Sequence, residues 1–126
     1  MAANNVGALR AKHTSVAIAG VGEPRLGKVP EYGCLQLYAL AAKQAIEEAG
    51  LTIADIDGVL TIDSMAEPYR IHCTVLAEYM GIRSTYSMTC SNGGATSCSM
   101  VAHAAAALHA RLCNNVQILT ERHDRN

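Results

Sequence analysis

The chain of 126 residues contains no tryptophan and no phenylalanine. Its interior must therefore be built from Ala, Val, Ile, Leu and Met, with five tyrosines as the whole aromatic supply. A dominant charge is missing too, because ten Lys and Arg face eleven Asp and Glu for a net charge of -1. No basic run stands out, so neither nucleic acid nor an anionic membrane surface is an expected partner. No uncharged apolar run approaches the roughly 18–20 residues that a membrane span needs. The start of the chain holds Arg10, Lys12 and His13 without an apolar stretch and cleavage site behind them, which speaks against a secretory signal. Paired cysteines are lacking as well. The five present (34, 73, 90, 98 and 113) are odd in number and irregularly spaced. That usage points to free thiols in a reducing compartment, and the expected location is the cytoplasm.

Half of the residues are hydrophobic, enough for one globular domain of this length. Residues 1–14 show no sustained period and read as a loose lead-in; residues 15–120 form the expected domain, and 121–126 (ERHDRN) a charged tail. "SVAIAGVG" (15–22) is a short β-branched run closed by Gly20 and Gly22, which predicts a buried strand. Two prolines and two glycines make "EPRLGKVPEYG" a loop. From residue 34 apolar residues recur at the helical period through Leu35, Tyr38, Ala42, Ala45, Ile46 and Ala49, and Gly50 stands at the expected stop. Thr52 and Asp55 have capping-box spacing for one short turn. "GVLTI" (58–62), "TYSMT" (85–89) and "NVQILT" (115–120) predict three more strands. A helix stopped by Gly81 lies between the first two, and one running from after Cys90 to about Leu112 between the last two. The order β-α-β-α-β-α-β implies an α/β fold with a mostly parallel sheet, right-handed crossovers and helices on its faces.

Two motif readings fail on spacing. In "GVGEPRLG" the third glycine of a dinucleotide fingerprint would fall on Arg25, and Pro24, Gly27 and Pro30 hold the chain in a loop where a helix should open. The glycines are better read as relieving crowding at a strand end. His109 and Cys113 are four apart, but no second pair supplies the remaining ligands of a zinc site, so no metal is expected. Cys34, Cys73, Cys98 and Cys113 fall in or beside helices, where a thiol behaves as a small apolar group. Asp55, Asp57 and Asp63 read as turn and cap residues.

Cys90 stands apart, because it follows one strand and precedes a helix. First-turn amides and the positive end of the helix dipole favour thiolate over thiol, so Cys90 is the candidate nucleophile. Gly93 and Gly94 leave room in the same turn for a backbone or ligand to come close. A buried structural cysteine at a tight corner is the plainer alternative. In the following helix, from Ala95 to Leu108, His103 is the one basic or acidic side chain. Helices apolar all round are buried ones, and a single sheet can cover one side only.

In this order and spacing, "GLTIADIDGVL" before the second strand and "CSNGGATSC" opening a small-residue helix resemble the N-terminal domain of thiolases. The likeness is to the branch of thiolase-like acetyl-CoA acetyltransferases and sterol-carrier-protein-type thiolases. It covers residues 15–120. The resemblance implies a half-domain of an acyl-CoA acyltransferase, with Cys90 as acyl-accepting nucleophile and its N–H, with Gly93 and Gly94 in support, at the oxyanion. A coenzyme A thioester is the implied substrate, with no covalently bound cofactor. The small-residue helix falls on the family's central helix, buried between two domains. The resemblance also implies a homodimer through the third strand, Thr85 to Thr89. The family's Gly-His-Pro histidine, second Cys-x-Gly cysteine and C-terminal domain have no counterpart in these residues. The expectation is therefore a fragment inactive alone or, alternatively, a non-catalytic scaffold that binds a partner handling acyl-CoA.

Overall fold

Residues 58–62 form the strand around which the other elements are arranged. A computed structural model describes residues 16–24, 32–64 and 69–120. In it β1 (Gly58–Ile62) is flanked by β2 (Tyr86–Cys90) and β3 (Val116–Leu119), in the order β2-β1-β3. Both pairings are parallel, with Leu60 opposite Met88 on one side and Ile118 on the other. A central strand covered on both faces needs an unbroken apolar run, and Val59 and Leu60 are both fully buried while pointing opposite ways.

The helices of the described residues are α1 (Cys34–Glu48), α2 (His72–Met80) and α3 (Thr96–His109). From β1 to β2 the chain steps one way across the sheet, and from β2 to β3 it steps back over β1. Right-handed crossovers therefore send α2 and α3 to opposite faces. Two separate cores result. On one face Val59 and Leu119 meet Tyr38, Ala42 and Ile46 of α1 and Leu76 and Ala77 of α2. On the other, Leu60 and Cys90 meet Met100 and Ala104 of α3, with Ile62, Tyr86, Met88, Val116 and Ile118 packed around them.

All three helices end alike. Gly50 (φ 71°) and Gly81 (φ 73°) take the left-handed conformation that returns Leu51 N–H to Ile46 O and Ile82 N–H to Ala77 O. At the end of α3 the same position is occupied by Arg111 (φ 58°), and Leu112 N–H returns to Ala107 O. Without a glycine to mark it, this stop is invisible to sequence pattern, and α3 ends at His109 rather than near Leu112.

The expected first strand differs. Residues 16–22 have no regular secondary structure, and the described sheet has three strands. Gly20 and Gly22 instead press this segment onto α1: a Cβ on Gly20 would run into Ala45 O, and one on Gly22 into Ala41 O. Val21 N–H donates to the Glu48 carboxylate at 2.6 Å. The glycines do relieve crowding, but against a helix. The lead-in 1–14 and the tail 121–126 lie outside the described residues.

Candidate functional site

The sheet's carboxyl end gathers the residues singled out by sequence. Cys90 is the last residue of β2, in register with Ile62, and β2 is an edge strand. In open α/β sheets ligands bind beyond the carboxyl ends of the strands. Behind Cys90, Thr89 Oγ1 accepts the Cys73 N–H at 3.0 Å and fixes the start of α2 beside the end of β2.

Ahead of it, the chain turns through Ser91 and Asn92 into a single 3-10 turn, Gly93–Ala95, before α3 begins. Gly93 has φ 62°, a conformation costly for any residue with a Cβ. Thr96, nearly fully buried, braces this turn: its hydroxyl accepts Asn92 N–H at 2.9 Å and donates to Gly93 O at 2.6 Å. Sequence reasoning passed over both threonines. For Thr96 a signal existed, since a hydroxyl three residues after Gly93 can reach back to its carbonyl. For Thr89 there was none, because its partner is distant in sequence.

Two expectations for the site are corrected. Cys90 does not sit in the first turn of a helix; five residues separate it from Thr96. Among the described residues no hydrogen bond reaches its sulfur. The thiol is buried among Leu60, Met100 and Ala104. Burial pushes its pKa up, and the neighbouring Cys73 adds to the rise. The protonated thiol is the form this environment favours, the reverse of the dipole argument. Cys98, expected to be a core thiol, is exposed on α3, whereas Cys34, Cys73 and Cys113 are buried as expected. Gly93 and Gly94 are exposed, and a Cβ on either would meet nothing within 4 Å. The space they keep open is therefore empty of protein.

The small-residue helix has a wet side in this chain. Met100, Ala104 and Ala107 face the sheet, and Ser97, Cys98, Val101, Ala102 and Ala106 face outward. Val101 is 46% exposed. Among the described residues one side is covered and the other has no layer over it, as a single sheet requires.

At the opposite end of the sheet, Asp57 accepts N–H bonds from Asn114 at 2.8 and 3.0 Å, from the Asn114 side chain at 2.9 Å and from Asn115 at 2.9 Å. Partial burial would raise its carboxyl, but the bonds from Asn115 and Asn114 outweigh that and hold it below the ordinary value. Asp55 accepts both the N–H and the hydroxyl of Thr52. These two carboxylates are turn and cap residues, as their positions suggest. Among the described residues no group of three or more His, Cys, Asp or Glu is placed to hold a metal ion. No helix among them is long and apolar enough to cross a membrane.

No protein-family profile and no curated protein matches the chain. Solved structures do. One described as an Ltp2-ChsH2(DUF35) aldolase is 30% identical over 87% of this chain and 28% of its own, with a TM-score of 0.73. A monomeric SCP2-thiolase-like protein type 1 from Mycobacterium smegmatis is 18% identical over 86% of this chain and 24% of its own, with a TM-score of 0.65. The 126 residues thus span about a quarter of the length of each neighbour. With its parallel sheet, its helices on both faces and these neighbours, the chain has a thiolase-like fold over that part of the length.

Proposed function

We propose that this chain carries the nucleophile of a thiolase-type acyl transfer, with Cys90 accepting an acyl group from a coenzyme A thioester. The observation that carries this reading is the position of Cys90. A thiol closes an edge strand at the carboxyl end of a parallel sheet, in a thiolase-like fold, before an open glycine turn. In the step itself the sulfur attacks the thioester carbonyl and a new carbon–sulfur bond forms. The bond to coenzyme A breaks, and the proton of Cys90 leaves with the coenzyme A thiolate. Backbone N–H groups of the turn would stabilise the oxyanion. The raised thiol makes a single slow acylation the expected behaviour of these residues alone, because no base is hydrogen-bonded to the sulfur among the described residues. Pairing of two copies through the open edge of β2, and residence in the cytoplasm, belong to the same reading.

The test is incubation with acetyl-CoA followed by peptide mapping of all five cysteines. An acetyl group on Cys90, absent from Cys90→Ala, is the expected result. Acetylation confined to exposed Cys98 would overturn it. A second reading has one observation in its favour: the neighbour sharing 30% identity is described as an aldolase. In a carbon–carbon cleavage on this scaffold, a buried protonated thiol needs no acylation. Binding of an acyl-CoA with no covalent adduct at any cysteine would favour that alternative.

A further inference from the structure

Asn92 is followed by Gly93, and no other asparagine of the chain precedes a glycine. An Asn-Gly step carries a chemistry of its own. The glycine nitrogen has no neighbouring Cβ to shield it, and the asparagine amide is one bond-rotation away. Both residues are exposed. Among the described residues no hydrogen bond holds the Asn92 side chain. Asn114 and Asn115 differ, because their side-chain amides donate to the Asp57 carboxylate and to Asp55 O.

What the turn does fix is the backbone. Asn92 has ψ 30° and Gly93 has φ 62°. For an L-residue at that ψ, the next nitrogen lies on the far side of the Cα–C bond from the Cβ. Ring closure between the Asn92 amide and Gly93 N needs them on the same side, so ψ must turn by well over a right angle. Thr96 opposes that rotation. Its buried hydroxyl accepts Asn92 N–H at 2.9 Å and donates to Gly93 O at 2.6 Å. A single oxygen thus grips the backbone on both sides of the bond that has to rotate.

We propose that the peptide between Asn92 and Gly93 is a site of spontaneous deamidation, latched by the Thr96 hydroxyl. When the latch opens, Gly93 N attacks Asn92 Cγ. A nitrogen–carbon bond forms, the bond from Cγ to Nδ2 breaks, and Nδ2 leaves as ammonia with the proton of Gly93 N. Water then opens the cyclic imide. Attack at the side-chain carbonyl yields aspartate; attack at the main-chain carbonyl yields isoaspartate, with an extra carbon in the backbone. Either product places a carboxylate in the exposed turn that follows Cys90, and isoaspartate lengthens the path that Thr96 spans.

The experiment incubates the protein at mildly alkaline pH, folded and in urea. Peptides carrying each asparagine are mapped at intervals by mass, and chromatography separates aspartate from isoaspartate. In urea Asn92 deamidates ahead of every other asparagine. In the folded protein it does so at least about tenfold more slowly, because the turn must open against its two hydrogen bonds. Thr96→Val brings the folded rate toward the urea rate, and Thr96→Ser, which keeps the hydroxyl, stays near the parent. Slow amide exchange in β1 shows that each variant is folded. The folded-to-urea ratio needs no variant at all. Equal rates in the two states overturn the latch, as does a folded Thr96→Val that deamidates no faster than the parent. Another asparagine leading in urea overturns the site itself.

Discussion

The two ends of the sheet are built on opposite principles. At the amino end, Asp57 connects all three strands: its carboxylate takes the amides that lead into β3, and its carbonyl accepts Thr85 N–H at 2.7 Å and Tyr86 N–H at 3.3 Å. Its own N–H, like that of Gly58, donates to Asn115 O at 3.1 Å. At the carboxyl end, Cys90 makes no hydrogen bond through its sulfur among the described residues, and the turn beyond it is open glycine backbone. The amino end spends its polar groups on itself, so it offers a ligand little. The carboxyl end holds a buried thiol beside a turn whose two glycines face open space. One end is braced by its own hydrogen bonds, and the other leaves its glycine turn open.

The largest expected effect comes from breaking the amino end. Asp57→Ala removes an ionised acceptor shared by three N–H groups, and bonds of that kind contribute about 1.5–3 kcal/mol each, with losses that do not add fully. We expect a loss of about 2–3 kcal/mol in urea unfolding, with the acylation pattern of the remaining folded protein unchanged. The pH dependence has a definite sign. Because the folded carboxyl lies below its ordinary value, its contribution is complete above about pH 4. It fades as pH falls through the lower folded value. Asp57→Asn should therefore flatten the acid limb of the stability curve and leave the alkaline limb as it is.

The thiols sharpen the comparison next. Exposed Cys98 should alkylate at least about tenfold faster than Cys90, whose thiol is both buried and raised. Peptide mapping after limited iodoacetamide measures the ratio. Equal rates would mean that the Cys90 end opens readily in solution. Thr96→Val then tests how the open glycine turn is held. It leaves Asn92 N–H and Gly93 O without their shared hydroxyl, at a cost of about 1–2 kcal/mol. Exchange of the Asn92 amide should quicken more than that of any amide near Asp57.

What could be read from the sequence divides along physical lines. "GVLTI" gives β1 to the residue, because a strand covered on both faces reads as an apolar run bounded by turn residues, here with one buried threonine, Thr61. Gly50 and Gly81 give two helix ends, because left-handed backbone selects glycine; Arg111 hides the third. The first strand misled for a reason of another kind: composition reports what a segment can form, and pairing decides whether it does. At the site, position was legible and environment was not. The corner residue Cys90 followed from the change of pattern around it. Its pKa depends on Leu60, Met100 and Ala104, which the topology brings together from two strands and a helix. The dipole argument placed the thiol beside the first-turn amides of a helix opening after Cys90, and the intervening 3-10 turn and the burial of the sulfur removed that premise.

The smallest expected effect on stability is also the most informative about the site. Gly93 and Gly94 are neighbours, both exposed, and an added Cβ on either meets no atom within 4 Å. They differ in backbone. Gly93 has φ 62°, so Gly93→Ala should cost about 1–2 kcal/mol from left-handed strain alone. Gly94 is free of that constraint, so Gly94→Ala should leave stability unchanged or raise it by about 0.4–1 kcal/mol through a less flexible unfolded chain. Folding thus gives no reason for a glycine at 94. The proposed acylation does, if the incoming thioester uses the open space at Gly94. Gly94→Ala should therefore keep its urea midpoint while acetylation of Cys90 by acetyl-CoA falls. Acetylation that stays at the parent rate would show that the substrate reaches the sulfur from the β1 side, past Ile62, and would leave Gly94 without a functional role.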